Sequence, residues 1–328
     1  MPSISLTRRR FHLSTAAAAA SLALPSFAQS AWPTKPVRII MPYTPGGFTD
    51  QMARLIQIGL QQRLGQPVVI DNKPGANSLI GVDAIAKAAP DGSTFGVVIA
   101  AYAANTTLYP KLPYDPRKDL MGVSLMGVSP LLAAVNNDAP FKTGRELIDY
   151  ARANPGKISF GSSGNGSAAH LTTELWKSLT KTYMIHIPYR GAVPALTDLM
   201  GGQIQLFLDA PTGLINQAKA GKVRLIGVAG ERRLPATPDV PTFVEQGFAG
   251  MIGSTWAGML APAGTPGEIV KRMSDEIARI IKSDETRAKL EAMGTFPAGS
   301  TPQEFDAFIA AETTKWAQVI KTAGVKAD

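Results

Sequence analysis

Apolar and polar positions repeat one unit along most of the chain: a short apolar run, a loop bearing glycine or proline, then apolar residues at helical spacing. The run at 37–41 is followed by the loop Pro42-Tyr-Thr-Pro-Gly-Gly-Phe-Thr-Asp50, and Met52, Leu55, Ile56 and Leu60 give the buried stripe of a helix ending near Gly65. Residues 68–71 predict a second strand, 74–81 a second small-residue loop and 82–89 a helix stopped by Pro90, after which 95–101 is an uninterrupted apolar run. Further strands are expected at 131–135, 157–160, 185–189, 204–208 and 223–229, the fourth of these ending in Asp209. Helices are expected from Thr143, whose capping box is completed by Glu146, and at 168–178, 195–200 and 211–220. The C-terminal hundred residues read as mainly helical, with Thr265-Pro-Gly-Glu268 and Thr301-Pro-Gln-Glu304 as two more capping boxes ahead of apolar stripes that read as packing. Continuous apolar strands alternating with helices predict an α/β protein whose parallel sheets are covered on both faces.

The first residues read as an address. Thr7-Arg-Arg-Arg-Phe11 precedes an alanine-rich apolar run over 13–24, and small residues at Ser26 and Ala28 fit a signal-peptidase site, so the mature chain is expected to begin at Gln29 and to be exported to the periplasm. The arginines resemble a twin-arginine signal, although three in a row also suit the general secretory route. A twelve-residue apolar core is short of the ~20 residues that span a membrane, so the segment over 13–24 is not read as an anchor.

Removal of residues 1–28 strips three arginines and leaves 30 basic against 25 acidic residues, a net +5. With no run of like charge and no interleaving of basic and aromatic residues, nucleic acid is not an expected partner. The chain has no cysteine, which excludes disulfides and thiolate metal sites, and its two mature histidines, His170 and His186, are too few for a histidine cage. No metal and no cofactor is expected.

The most informative single stretch is Gly161-Ser-Ser-Gly-Asn-Gly-Ser167, a small-residue turn between a strand and a helix. A helix start leaves amides unpaired and carries the positive end of the peptide dipole, so this turn can seat an anion without lysine or arginine; equally, it can do no more than reverse the chain. It lacks the Gly-x-Ser-x-Gly of a nucleophile elbow, since Asn165 stands two residues after Ser163, and its glycines are spaced wrongly for a dinucleotide fingerprint.

Several motifs together carry a resemblance over almost the whole mature chain: Pro45-Gly-Gly-x-x-Asp50, Arg63-Leu-Gly-Gln-Pro-Val-Val69, Lys73-Pro-Gly-Ala76, Ala86-Lys-Ala-Ala-Pro-Asp-Gly92, Tyr109-Pro-Lys-Leu-Pro-Tyr-Asp-Pro116, the 161–167 turn with His170, Pro188-Tyr-Arg-Gly191, Pro238-Asp-Val-Pro-Thr242 and Ala261-Pro-Ala-Gly-Thr-Pro266. The chain resembles the Bug family of extracytoplasmic solute receptors of tripartite tricarboxylate transporters. That resemblance implies a type II periplasmic binding protein of the Venus flytrap kind, in which two α/β lobes, each a mainly parallel sheet flanked by helices, close on a small organic acid. It also implies delivery to integral membrane permease subunits, with no catalysis, by a chain expected to be a monomer. The sequence departs from the family's usual pattern at Phe48, where a small or hydroxylated residue is common, and at Asn77-Ser78, where glycines are common.

Crossings near 131–136 and 223–230 divide the chain into lobe 1, residues 32–133 with 228–328, and lobe 2, residues 134–227. Each lobe then presents one glycine turn to the cleft, Gly46-Gly47 from the first and 161–167 from the second, and two electropositive helix ends suit a dianion. The expected ligand contacts are Tyr43, Gly46, Gly47, Phe48, Thr49 and Asp50 in the first loop, and Ser78, Tyr102 and Asn105 in neighbouring loops of lobe 1. Lobe 2 is expected to add Ser162, Ser163, Gly164, Asn165, Gly166, Ser167, His170, Tyr189, Gly191 and Asp209. Asp209 can bond the ligand or cap the helix after Pro211, His170 can orient its loop instead of touching ligand, and Arg190 can clamp a carboxylate or lie in solvent. The competing reading is a secreted serine hydrolase using the 162–167 loop, with His170 as base to Ser167.

Overall fold

A computed structural model describes residues 32–327; the predicted signal peptide and its cleavage after Ala28 lie outside the described residues. Ten strands and ten α-helices alternate along this part of the chain. In order, β1 (Val37–Met41), α1 (Phe48–Leu64), β2 (Val68–Asn72), α2 (Leu79–Ala86), β3 (Thr94–Val98) and α3 (Ala100–Leu108) build the first half of one lobe. The strand β4 (Leu120–Asn136) leads into α4 (Gly144–Ala153), β5 (Ser159–Ser162), α5 (Ala168–Thr180), β6 (Ile185–Pro188), α6 (Ala192–Met200), β7 (Leu206–Asp209), α7 (Pro211–Lys219) and β8 (Val223–Ala229) of the other. Then come β9 (Ser254–Pro262), α8 (Gly267–Ile281), α9 (Asp284–Ala292), the short β10 (Phe296–Pro297) and α10 (Pro302–Ala323).

Two sheets share one strand. The first part of β4 pairs antiparallel with β9, from Leu120 opposite Pro262 to Pro130 opposite Ser254. From Leu131 onward the same strand pairs with β8, and from Leu132 also with β7. Pro130 has no N–H to extend the first ladder, and the switch is fastened by Leu131 N donating to Gly253 O and Gly253 N donating to Ala229 O, both at 3.0 Å. Parallel pairing is confined to the outer parts, β2-β1-β3 in one lobe and β6-β5-β7 in the other, so each sheet is mixed where the long strand runs.

Several sequence expectations shift. The apolar run at 95–101 splits, with β3 ending at Val98 and α3 starting at Ala100, because an alanine-rich helix buried on nearly all sides looks as continuously apolar as a buried strand. The strand expected at 131–135 is the last third of β4, and the C-terminal hundred residues contain β9, which the helical reading passed over. Glycines hide both: a Cβ at Gly122 would overlap Asp306, and one at Gly258 would overlap the Phe305 ring, so these strand positions are glycine because α10 lies directly on them. The box at Thr301 forms in both directions, whereas Thr265 donates to Pro262 O and leaves α8 without a side-chain cap. At Thr143 the hydroxyl accepts from Glu146 N, but the Glu146 carboxylate accepts from Lys142 N rather than closing the box. After β8 the chain does not return to the first lobe at 228–230. Val228 and Thr242 bridge, and Phe243 packs on Trp176 of α5 with ring centroids 4.4 Å apart, so the segment up to Gly253 stays with the second sheet.

The crossing therefore rests on Gly253, where a Cβ would overlap the buried side chain of Thr172 on α5. A stiff β-branched neighbour cannot turn aside cheaply. Gly253→Ala should destabilise the protein by ~1–3 kcal/mol, read as a lower urea midpoint at unchanged slope, and Thr172→Ala in the same chain should recover part of the loss. An unchanged midpoint for the single variant would mean that α5 does not press on the crossing.

Candidate functional site

The loop between β1 and α1 is shaped by its own acid. Asp50 Oδ2 accepts from Gly46 N at 3.0 Å and from Arg54 Nε at 2.8 Å, while Gln51 Nε2 donates to Gly46 O at 3.2 Å. Burial pushes the Asp50 carboxyl up, but the Arg54 side chain and the Gly46 amide outweigh it and hold the group below the usual carboxylate range. Asp50, expected at the ligand, is thus engaged in the loop through Oδ2, while its buried Oδ1 has no hydrogen-bond partner among the described residues. The two glycines differ in purpose. Gly46 has φ +88°, a conformation costly to other residues; Gly47 has φ −78° and ψ 177°, open to any residue, with nothing within 4 Å of where a Cβ would stand. Gly47 is the N-cap of α1, and no side chain accepts from the first-turn amides.

Opposite this helix end lie two more. Gly191 caps α6 at φ +106° and Ala210 caps α7, and neither offers a side-chain acceptor to the amides that follow. A cavity of ≈ 80 Å³ lies where the three ends meet, bounded by Gly46, Gly47, Phe48 and Gln51 on one lobe. Across the cleft its walls are Ala192, Val193 and Leu196 of α6, then Phe207 and Asp209 of β7, then Ala210, Thr212, Gly213 and Leu214 at the start of α7. No lysine, arginine or histidine is among the residues that line it. Three uncapped helix ends supply positive potential without a cation. Asp209 stands at the end of β7, and burial pushes its carboxyl up to about 7, with the Ala210 amide opposing the shift. Around neutral pH it can either donate or accept a hydrogen bond.

The 161–167 turn has the glycines and hydroxyls expected of an anion seat, but three of its amides, and that of His170 beyond it, are already used. Gly164 N donates to Ser162 Oγ (3.2 Å), Gly166 N to His170 Nδ1 (3.1 Å), Ser167 N to Gly164 O (3.1 Å) and His170 N to Ser167 Oγ (3.3 Å). Ser162, Ser163, Gly164, Asn165, Gly166 and Ser167 do not border the cavity; a Cβ at Gly166 would overlap Leu108 of α3, so the turn abuts the other lobe directly. His170 stacks on His186 with centroids 3.7 Å apart, and burial, then the neighbouring His186 and Lys177, push it down to about 3. It orients the loop as a neutral ring whose Nδ1 accepts from Gly166. The pair required by a hydrolase, Ser167 with the His170 imidazole, does not form; the serine that meets a histidine is Ser162, 2.6 Å from His186 Nε2 and buried.

Other expected contacts are likewise committed to the protein. Asn105 exchanges bonds of 2.8 Å with Asn77 and reaches Ser78 Oγ at 3.4 Å. The Tyr102 hydroxyl donates to Pro116 O at 3.3 Å, and the Tyr189 hydroxyl to Asp198 at 2.6 Å. Tyr43 differs: its carbonyl accepts from Asn72 at 3.0 Å, but its buried hydroxyl has no hydrogen-bond partner among the described residues, and burial raises the phenol. Of the expected set, Gly46, Gly47, Phe48 and Asp209 come together at the cavity, with Gly191 capping α6 beside it and Thr49 buried in the first turn of α1. The wall residues of α6 and α7 went unread in the sequence. The signal that marks them is a helix start lacking Ser, Thr, Asp or Asn at its cap, as at Gly191 and Ala210.

Residues 52–325 match the family described as tripartite tricarboxylate transporter family receptor. Protein BugT of Bordetella pertussis is 35% identical over 311 residues, covering 94% of this chain and 95% of that one. Among solved structures, R. palustris Rpa4515 with adipate is 36% identical, with a TM-score of 0.86 over 90% of this chain and 99% of its own. MatC from Rhodopseudomonas palustris with bound malate is 31% identical, with a TM-score of 0.82 over 88% of this chain and 100% of that chain.

Asp209 sets a pH dependence whose sign is fixed. Because its folded value is raised to about 7 from ~3.9 in the unfolded chain, the folded state binds the extra proton between those limits, and stability contributed here falls as pH rises through that window. Asp209→Asn, uncharged and of the same shape, should be no more stable than wild type near pH 4 and increasingly more stable up to about pH 7, with a constant gap above. Ligand-free thermal melts at several pH values would read this; a gap independent of pH would show that Asp209 ionises freely.

Proposed function

Because this chain belongs to the tripartite tricarboxylate transporter receptor family, we propose that it captures a small carboxylate, a dicarboxylate or an aromatic or other organic acid, in the cleft between its lobes. It then delivers that acid to the integral membrane permease subunits of a tripartite transporter. It works in the periplasm after export and removal of its first 28 residues. The observation that carries the reading is the convergence on one cavity of three helix N-termini, at Gly47, Gly191 and Ala210, none with a side-chain cap. Such amides need an acceptor, and a carboxylate supplies two oxygens of the right charge. The α1 end comes from one lobe and the α6 and α7 ends from the other, so an acid held between them draws the lobes together. Binding favours the closed arrangement by as much as its contacts to the second lobe are worth.

The relatives solved with adipate and with malate support an acid of this size. Capture by backbone amides needs no reaction, and the serines and histidines of the 161–167 turn are bonded to one another away from the cavity.

The two glycines of the first loop test the reading separately. Gly47→Val fits the extended backbone and meets no neighbour, so the fold should survive while the isopropyl group crowds the amides. Losing one hydrogen bond to a charged oxygen, ~1.5–3 kcal/mol, should weaken binding by about ten-fold or more. Gly46→Ala, forced to keep φ +88°, should instead lower stability by ~1–2 kcal/mol. In wild type, a bound acid at ~100 times its Kd should add about 2.7 kcal/mol of stability in a thermal-shift screen. Full affinity in Gly47→Val, or no organic acid that shifts the wild type, would overturn the assignment of this cavity.

A further inference from the structure

The walls of the cleft cavity are hydrocarbon. Phe48 faces it from the start of α1, Val193 and Leu196 from α6, and Phe207 and Leu214 from β7 and α7. Val193 keeps 68% of its surface exposed, so a large apolar side chain stands open at the mouth of a cavity instead of packing into its own lobe. The polar side chains of the lining are few, and two of the three are engaged elsewhere. Gln51 Nε2 donates to Gly46 O at 3.2 Å, and the Thr212 hydroxyl donates to Met293 O at 3.1 Å. Asp209 remains, at one end beside the amides of α7. The polar groups that can address a ligand are thus gathered at the helix ends, and the space between them offers none.

Resting on the receptor reading above, we infer that the cleft selects carboxylates with an unsubstituted hydrocarbon body, chain or ring. It rejects acids that carry hydroxyls on their interior carbons, with Phe48 and Val193 as specificity-determining residues. A hydroxyl moved from water onto an apolar wall loses its hydrogen bonds and gains none. A methylene or ring in the same place leaves water for matched surface and is favoured.

The test compares adipate and terephthalate with galactarate, which is adipate bearing one hydroxyl on each of its four interior carbons. Affinities are measured by calorimetry on the purified wild type, Phe48→Ser and Val193→Ser, with each variant's thermal melt as a fold control. Wild type should bind adipate, or terephthalate, at least about ten-fold more tightly than galactarate, since even one unpaired hydroxyl is worth that much. Each serine variant should shrink the ratio by weakening the hydrocarbon acids. Should Phe48→Ser fail to fold, Val193→Ser decides, because its site is at the surface. Galactarate bound as tightly as adipate, or a ratio unchanged in the folded variants, would overturn the inference and leave the receptor reading standing. Binding of none of these acids, nor of malate or citrate, would overturn both.

Discussion

The first-turn amides of α1, α6 and α7 have no side-chain acceptor, as is also true of α2, α3 and α8, and what distinguishes these three ends is that they meet at one cavity. At Thr143, Ser167, Ser283 and Thr301 a hydroxyl accepts from the amide three residues on, which satisfies the helix end internally and makes it part of the scaffold. At Gly47, Gly191 and Ala210 no side chain supplies that acceptor. A cap residue is worth about 1 kcal/mol to a helix, so leaving three adjacent ends without one forgoes stability at the cleft cavity.

What brings those ends together is β4. Because one strand serves both sheets, its change of partner at Pro130 and Leu131 fixes the lobes side by side, and β7, hydrogen-bonded to its second part, carries Asp209 and the start of α7 toward the cleft. The β1 strand delivers the Gly46-Gly47 loop from the other side. Between the lobes, Thr212 bonds to Met293 O, Gly166 abuts Leu108, Gly294 lies against Pro211, and α10 packs along α5. One buried cluster runs from Ile40, Val98 and Trp256 of the first lobe through to Phe160, Trp176 and Phe243 of the second, so the two lobes are packed to each other at the crossing.

The strand, loop and helix grammar was legible from spacing alone, and the αL glycine at Gly65 closes α1 where the sequence placed its end. Buried glycine strands were not legible, since Gly122 and Gly258 have no side chain to show a period and exist for the sake of α10. The candidate site was half legible. Gly46, Gly47, Phe48 and Asp209 lie at the cavity, but the serine- and glycine-rich turn at 161–167 does not border it. Ser167 looked like an anion ligand for the same chemical reason that it is a good cap.

An anion site without a cation has a consequence for what it can hold. A lysine or arginine in the cleft would attract many anions and would have to be desolvated on closure, at a cost that grows as water leaves. Backbone amides at helix ends are fixed in place, lose little entropy on binding, and bind only where an oxygen reaches them at hydrogen-bond distance. Asp209 sharpens this further. Held near neutrality by burial, it can bond to a carboxyl oxygen when protonated but repels one when ionised. A ligand oxygen placed beside it therefore draws a proton onto the pair.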